Sequence, residues 1–337
     1  MRFTDLKAEW AHQLNALWYD ASRRPTWILR GLATVYTSLL ALRKAGYRIG
    51  WLPRHRIAMP VIVVGNLSVG GTGKTPVTLA LIEALRQRGW RPGVISRGYG
   101  GSTREASRVQ SNTPASVCGD EPKLLFERSG APLAVARRRS DAARLLQSSG
   151  DVDVLVADDG LQHLALARDI EIVVIDGQRR FGNQLLLPAG PLREPLERLR
   201  TVDWCICNGG EPQGDEIAMT LRLGEPRALL EPTRRIAFAR QRVHAVAGIG
   251  DPTRFFASLH RLGVTIIAHP FADHHDYRPE DLMFADDLPV WMTEKDAVKC
   301  RAFAQPHWYS VPVDAELPAH FFDAIDQRLR SLTRDPA

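Results

Sequence analysis

The stretch Val61–Pro76, Val-Ile-Val-Val-Gly-Asn-Leu-Ser-Val-Gly-Gly-Thr-Gly-Lys-Thr-Pro, constrains this chain more than any other. Four β-branched residues in a row predict a strand buried on both faces of a parallel sheet. A glycine-rich turn follows, and Leu79, Leu81, Ile82 and Leu85 give residues 77–86 the apolar spacing of a helix. Strand, glycine turn and helix N-terminus together form an anion site, because successive N–H groups can curl around a polyphosphate where the helix dipole favours negative charge. The cradle is Ser68, Val69, Gly70, Gly71, Thr72, Gly73, Lys74 and Thr75. Lys74 is expected to reach the β- and γ-phosphates, and the Thr75 hydroxyl to hold Mg²⁺. A strict P-loop has glycine where Ser68 stands, but the pair Gly70-Gly71 can still supply the curled backbone. A chance Gly-Lys-Thr in an ordinary turn would lack the strand before it and the helix after it. The chain is expected to bind a nucleoside triphosphate.

Guanine selection needs Asn/Thr-Lys-x-Asp, whereas Thr293-Glu294-Lys295-Asp296 carries its lysine one place late, so ATP is the expected nucleotide. The lysine of dimerising P-loop ATPases, just before the glycine pair, is replaced by Val69, which speaks against a partition-type switch.

At 337 residues the chain exceeds the usual size of one core, so more than one lobe is expected. The expected division is an N-terminal segment at 1–58, a P-loop core at 59–212, a linker or small β connection at 213–240, and a smaller α/β lobe at 241–337. Cys118, Cys205, Cys207 and Cys300 are too scattered for a disulfide framework and read as reduced thiols.

The net charge of +6 is concentrated at one end. Residues 1–58 hold ten lysines and arginines against three acids, so the remainder is close to neutral. Trp10, Trp18, Tyr19, Trp27, Leu32, Tyr36 and Leu39 are interleaved with that charge. Arg30 interrupts the apolar run 25–42, and no signal-peptide cleavage site follows it. The pattern reads as a basic amphipathic helix lying in a membrane interface and facing anionic headgroups. The alternative is a helix packed on the protein with a solvated basic face.

Downstream, a strand at 91–96 ends in Arg97-Gly98-Tyr99-Gly100-Gly101, a loop at the edge where doubly wound sheets bind ligands. Gly119-Asp120-Glu121-Pro122 then opens a helix. Asp120 could orient or deprotonate an acceptor hydroxyl while Glu121 serves Mg²⁺; equally, an aspartate there could simply cap the helix. The arginines at 137–139 and Arg193 could neutralise transition-state charge or be solvated. The strand 151–158 ends in Asp158-Asp159, as the Mg²⁺-side strand of P-loop proteins does. From Val243 a fresh strand–helix alternation begins, with Phe271-Ala272-Asp273-His274-His275-Asp276-Tyr277 on a loop after a strand. That cluster could pair with a carboxylate across a cleft, or hold surface histidines without a role.

The segments Gly65–Pro76, Ser96–Gly101, Gly119–Pro122, Asp158–His163 (DDGLQH), Leu187–Pro195 (LPAGPLREP), Ala247–Phe256, Phe271–Tyr277 and Thr293–Lys299 (TEKDAVK) occur in the order found in the tetraacyldisaccharide 4'-kinases of lipid A biosynthesis, which this chain resembles over nearly its whole length. That family also carries Ser or Thr at the position of Ser68. The resemblance implies a P-loop NTPase-type α/β fold, with a mostly parallel sheet and helices on both faces, a smaller C-terminal lobe and an amphipathic helical N-terminus. It implies ATP- and Mg²⁺-dependent phosphorylation of the 4'-hydroxyl of an acylated glucosamine disaccharide 1-phosphate, by a peripheral protein on the cytoplasmic face of the bacterial inner membrane. It assigns a catalytic dyad to Asp120 and His274, with Lys74 on the nucleotide. Mg²⁺ would fall to Thr75, Glu121, Asp158 and Asp159, and substrate contacts to Arg139, His163, Arg193 and Glu194. A membrane-recruited ATPase switch with a protein partner is the alternative function. Nucleic acid is not an expected partner, because the basic residues are interleaved with lipid-type aromatics, and no obligate protein partner is inferred.

Overall fold

The computed structural model describes residues 13–20, 22–238 and 241–334. The first twelve residues, including Trp10 and the charges at Arg2 and Lys7, lie outside the described residues.

Strand β1 (Val61–Gly65) lies at the centre of a nine-stranded sheet. Parallel to it run β2 (Pro92–Ser96), β4 (Leu133–Val135), β5 (Val154–Asp158), β6 (Ile170–Asp176), β7 (Trp204–Asn208) and β8 (Ile217–Leu223). Short antiparallel strands close its two edges, β3 (Ser107–Arg108) beside β4 and β14 (Val313–Glu316) beside β8. The reason for the unbroken apolar run of β1 is visible in its packing. Ile62 and Val64 face a core built with Val77, Leu81, Ile82 and Leu85 of α2 (Lys74–Gln87). Val61 and Val63 face the other way, onto Ala142, Ala143 and Leu146 of α4 (Arg139–Gln147). Both faces are covered, so neither can be polar.

The second lobe is a five-stranded sheet in the order β11 (Thr265–Pro270), β10 (Arg242–Ala247), β12 (Val290–Thr293), β13 (Trp308–Val311), β9 (Arg227–Ala228). All but β9 are parallel. Helix α5 (Pro252–Arg261) packs Phe255 and Leu259 on one face, and α6 (Glu294–Cys300) packs Ala297 and Cys300 on the other.

Two features differ from the expected division. The stretch 213–240, read as a linker or small β connection, supplies β8 to the large sheet and β9 to the small one. The chain then returns at its C-terminal end: β14 pairs with β8, and α7 (Ala319–Arg334) lays Phe321, Ile325 and Leu329 on the core beside α2. The second lobe is thus inserted between two strands of the first sheet. Its α6 is tied to α3 (Asp120–Ser129) by Arg128, which bonds Glu294 at 2.6 Å and also reaches Asp314 of β14.

Helix α1 (Trp27–Arg48) starts at a Thr26 cap and packs its polar side on the protein. The Tyr36 hydroxyl donates to the Arg193 carbonyl at 2.8 Å, Arg43 donates to the Gln162 carbonyl at 3.3 Å, and Lys44 pairs with the buried Glu194 at 2.6 Å. The apolar residues point outward instead: Trp27 is 81% and Leu39 61% exposed, and Ile28, Leu32, Val35 and Leu42 share that face. Both expectations for this helix need adjusting, because part of its basic charge is consumed by the protein while its apolar stripe is solvent-facing. No helix among the described residues is long and apolar enough to cross a membrane. Just before it, Trp18 is buried, with its indole N–H donating to the Pro188 carbonyl at 3.0 Å.

Candidate active site

The phosphate cradle is shaped by backbone. Gly73 caps α2 with φ 94°, a left-handed conformation, and a Cβ there would sit 2.6 Å from Asn208 Nδ2. That amide donates to the Thr72 carbonyl at 2.9 Å, and the Asn66 amide donates to the Ser68 carbonyl at 2.7 Å, so both limbs of the loop are tied from below. From the side, Val69 N–H donates to the Pro191 carbonyl at 2.8 Å and Arg193 N–H to the Leu67 carbonyl at 2.6 Å. The loop 187–195 therefore braces the cradle. Thr72 Oγ1 is buried with no hydrogen-bond partner among the described residues, a polar group in the cradle left unsatisfied by the protein.

At the end of β5, Asp158 is fully buried, and burial together with the Glu121 and Asp159 charges pushes its carboxyl up to about 7. Burial would raise Asp159 as well, but Lys74, Arg193 and Arg139 outweigh it and hold that carboxyl low. Lys74 Nζ lies 3.5 Å from Asp159 Oδ1, and the Thr78 hydroxyl 3.4 Å from Asp158 Oδ1. This donor set fits a divalent cation that would relieve the repulsion among crowded carboxylates. Among the described residues no three carboxylate, histidine or cysteine side chains close on one point. Mg²⁺ does not need such a cage, since it keeps waters and takes phosphate oxygens.

Across the cleft, α3 begins with Asp120, and its cap is Gly119 (φ 95°) rather than the aspartate. The capping role for Asp120 is therefore not the one it plays. Its Oδ2 is 3.5 Å from His274 Nδ1 and 3.4 Å from Lys299 Nζ. Burial would lift Asp120, but the His274 hydrogen bond and the Lys299 and Lys295 charges outweigh it, so the carboxylate stays ionised at neutral pH. Lys295 Nζ lies 3.4 Å from His274 Nε2, 3.3 Å from Asp273 Oδ1 and 3.3 Å from Glu121 Oε1. An ammonium can only donate, so this contact assigns His274 Nε2 as acceptor and Nδ1–H as the donor to Asp120. The Tyr99 ring lies 5.4 Å from the His274 ring, centroid to centroid. His274 (φ 61°) and Asp159 (φ 46°) are two of the few non-glycine residues in the left-handed region, the kind of strain that collects at functional sites.

The remaining candidates separate. Arg193 Nη1 is 3.3 Å from Asp159, and Gln162 Nε2 bonds both the Asn66 carbonyl and Glu194 at 3.1 Å, which places Arg193 and Glu194 in the brace beside the cradle. Arg139 is buried and donates to the carbonyls of Asp158 and Asp159 at 3.1 and 2.7 Å, so it supports the carboxylate strand from behind. His163 is half-buried; burial and the nearby Arg139 lower its pKa to about 4, and its Nε2 has no partner among the described residues.

Sequence reasoning missed several participants. Lys295 and Lys299 sit one helical turn apart in Thr293–Lys299, a spacing that puts both ammonium groups on one face of α6 and could have flagged them. Arg254 reaches from α5 to Asp176 at 2.7 Å, where Arg179 also bonds at 2.7 Å while donating to the Gly71 carbonyl at 3.3 Å. This arginine pair ties the second lobe to the flank of the cradle.

The profile of the tetraacyldisaccharide-1-P 4'-kinase family matches residues 25–330. Relatives named tetraacyldisaccharide 4'-kinase include one from Aeromonas salmonicida, 49% identical over 95% of this chain and 97% of its own length. Another, from Stenotrophomonas maltophilia, is 49% identical over 94% of this chain and 96% of its own length. A crystal structure of LpxK from Aquifex aeolicus in complex with ATP has the same fold, with a TM-score of 0.76 at 24% identity, covering 90% of this chain and 97% of that one. A cradle, a carboxylate pair behind it, an aspartate–histidine pair facing it and this degree of relatedness over nearly the full chain lead to one assignment: the chain belongs to the tetraacyldisaccharide-1-P 4'-kinase family.

Proposed function

We propose that this protein transfers the γ-phosphate of ATP to the 4'-hydroxyl of a tetraacylated glucosamine disaccharide 1-phosphate, the reaction for which its relatives are named. The observation that carries the reading is the approach of Asp120 and His274 to 3.5 Å, next to Glu121, whose charge acts on Asp158, with an oxygen of Asp120 to spare. Asp120 Oδ2 is taken by His274 and Lys299, whereas Oδ1 has no partner among the described residues and is the atom left to receive the acceptor's proton. His274 Nδ1–H fixes the orientation of that carboxylate and keeps it ionised, ready for the acceptor's proton. Lys74 and N–H groups of the Gly70–Thr75 turn, beyond the Val69 N–H that is tied to Pro191, hold the β- and γ-phosphates in line with the acceptor oxygen. Thr75, Asp158 and Asp159, with Glu121 nearby, would hold Mg²⁺, which when bound neutralises charge on the bridging phosphate oxygens.

The acceptor's acyl chains stay in a bilayer, so the enzyme has to come to them. We place it as a peripheral protein on the cytoplasmic face of the inner membrane. The outward stripe of α1 supports this, with exposed Arg24, Arg30, Arg48 and Arg54 available to anionic headgroups. The opposite side of the same helix touches Arg193, itself bonded to Asp159, so the membrane-facing element and the reacting end are one residue apart.

The test is transfer of labelled γ-phosphate to a detergent-dispersed disaccharide 1-phosphate. The reading predicts stoichiometric 4'-phosphorylated product; ATP hydrolysis that ignores the acceptor and responds instead to a protein partner would favour a switch and overturn it.

A further inference from the structure

An aspartate from one lobe and a histidine from the other have to meet at one distance, and the loop carrying His274 does not secure this alone. His274 has φ 61°, and its side chain is 37% exposed. Lys299, on α6, is placed differently. Its side chain is only 10% exposed, although a lysine left to itself keeps its ammonium in water. Burying that charge is costly unless the ammonium is paired and its donors are used. One donor points to Asp120 Oδ2 at 3.4 Å, and another reaches the His275 carbonyl at 3.1 Å. The Tyr277 ring centroid lies 5.6 Å from the same nitrogen, so the head of the side chain is boxed in. Lys299 thus holds one member of the dyad by its carboxylate and the other by the backbone beside it.

A plainer role would be to neutralise Asp296, which is fully buried one turn earlier on the same helix. The distances go against it. Asp296 Oδ1 is 4.0 Å from Lys299 Nζ, whereas Asp296 Oδ2 accepts from the Thr293 hydroxyl at 2.6 Å and the Gly248 N–H at 3.0 Å. Asp296 therefore has donors of its own, and through them it ties α6 to the residue that follows β10. That fixes the platform from which Lys299 reaches out. Lys295 does not duplicate the contact, since it meets His274 from the Nε2 side, together with Asp273 and Glu121. We propose, resting on the function proposed above, that Lys299 is a positioning residue for the transfer: its ammonium pins Asp120 Oδ2 and the His275 carbonyl in one geometry, which leaves Asp120 Oδ1 to the acceptor hydroxyl. Without it the carboxylate can turn about its Cβ–Cγ bond, and the loop loses its inner anchor. A displacement of about 1 Å at a reacting group costs on the order of 10²-fold in rate.

The experiment measures kcat and both KM values in Lys299→Met, which keeps the stem beside Tyr277 and removes the charge, and in Lys299→Arg. In Lys299→Met kcat should fall about 10- to 10²-fold while either KM changes less than about twofold, and Lys299→Arg should restore part of the loss. In an Asp120→Ala background the same change should cost almost nothing further, because the lysine acts through that carboxylate. The pair Lys299→Met/Asp296→Asn removes both charges, so it should regain the melting temperature of the wild type without regaining kcat. This pair carries the test if Lys299→Met alone does not fold. Recovery of kcat along with stability would make Lys299 a partner of Asp296 and overturn the proposal. So would strictly multiplicative losses with Asp120→Ala, or near wild-type kcat in Lys299→Met. Should the wild type phosphorylate no glycolipid acceptor, it is the proposed function that has failed. The ring signals of His274 in nitrogen NMR then decide the pinning by themselves. They should shift in Lys299→Met and stay in place in Lys299→Arg, and unchanged signals in the Met variant overturn it.

Discussion

The two halves of the active site are built from different materials. The nucleotide half is backbone: a glycine in a left-handed conformation, carbonyls tied from below by Asn66 and Asn208, and a brace of main-chain bonds from residues 187–195. The half proposed for the acceptor is side chains: Asp120 and Glu121 from one lobe meet His274, Lys295 and Lys299 from the other. The first half is held in shape by main-chain and amide bonds of its own. The second holds its geometry only while the lobes hold theirs, through Arg128 with Glu294 and through Arg254 with Asp176. Preorganised backbone suits a nucleotide whose phosphates never change in kind. Side chains across a seam suit the larger acceptor proposed above, which meets groups from both lobes.

The largest test of this contrast removes one residue from each half. Asp120→Ala should lower kcat by about 10²–10⁴ with KM for ATP nearly unchanged, since a base acts only on the acceptor. Adding His274→Ala should cost little more, because members of one catalytic unit are not additive. Lys74→Ala should lower transfer by roughly 10²–10³. It should also depress whatever slow ATP hydrolysis the protein shows without acceptor, which Asp120→Ala should leave alone. If both variants depress that hydrolysis equally, the halves are not separable and the contrast is wrong.

The same contrast explains what could be seen in the sequence. The cradle is local: Val61–Pro76 contains its strand, turn and helix start, so periodicity and glycine spacing sufficed. The pairing of Asp120 with His274 spans two lobes, and the residues by themselves left a helix cap and an idle surface histidine open; only resemblance to a family chose between them. The insertion of the second lobe was not legible at all. β14 is four residues long, and its role depends on β8 lying beside it, which no local pattern announces. Helix α7 was legible and overlooked, since Phe321, Ile325 and Leu329 recur every fourth residue as a buried stripe should. The outward turn of α1 was partly hidden, because an apolar stripe looks the same in sequence whether it meets a core or a bilayer.

Lys295 joins the halves and gives an intermediate effect. It is largely buried; burial alone would lower its pKa, but the Glu121 and Asp273 charges outweigh that and keep it protonated. Lys295→Met leaves Glu121 and Asp273 without their cation and frees His274 Nε2. We expect kcat to drop about tenfold, the size of a lost charge-assisted bond, with partial recovery in Lys295→Arg. ATP affinity should change little. Full activity in the Met variant would show that the seam is held by other contacts and that this lysine is incidental.

A smaller effect concerns α1, which belongs to neither half and which we propose to lie against the membrane. Trp27→Glu and Leu39→Glu place charge on an exposed stripe, so the free energy of unfolding should stay within about 0.5 kcal/mol of the wild type. Binding to anionic vesicles should weaken at every salt concentration, because what is lost is apolar insertion, and salt screens only the remaining attraction. Unaltered vesicle binding would assign that stripe to a protein partner instead.

The smallest effect is one of pH, and it places His163 on the boundary between the halves. In the folded protein its pKa is lowered to about 4 by burial and then by Arg139, against 6.5 for an unperturbed histidine. Between those values the unfolded chain carries the extra proton, so stability rises with pH across the window. This contribution is complete above pH 6.5 and is lost as pH falls toward 4. Because the ring is only half-buried, solvent screens the effect, and His163→Asn should flatten the melting temperature between pH 4 and 6.5 by only about 2 °C. A melting curve whose pH slope is the same in both proteins would mean that the ring is solvated in solution rather than held neutral by its surroundings.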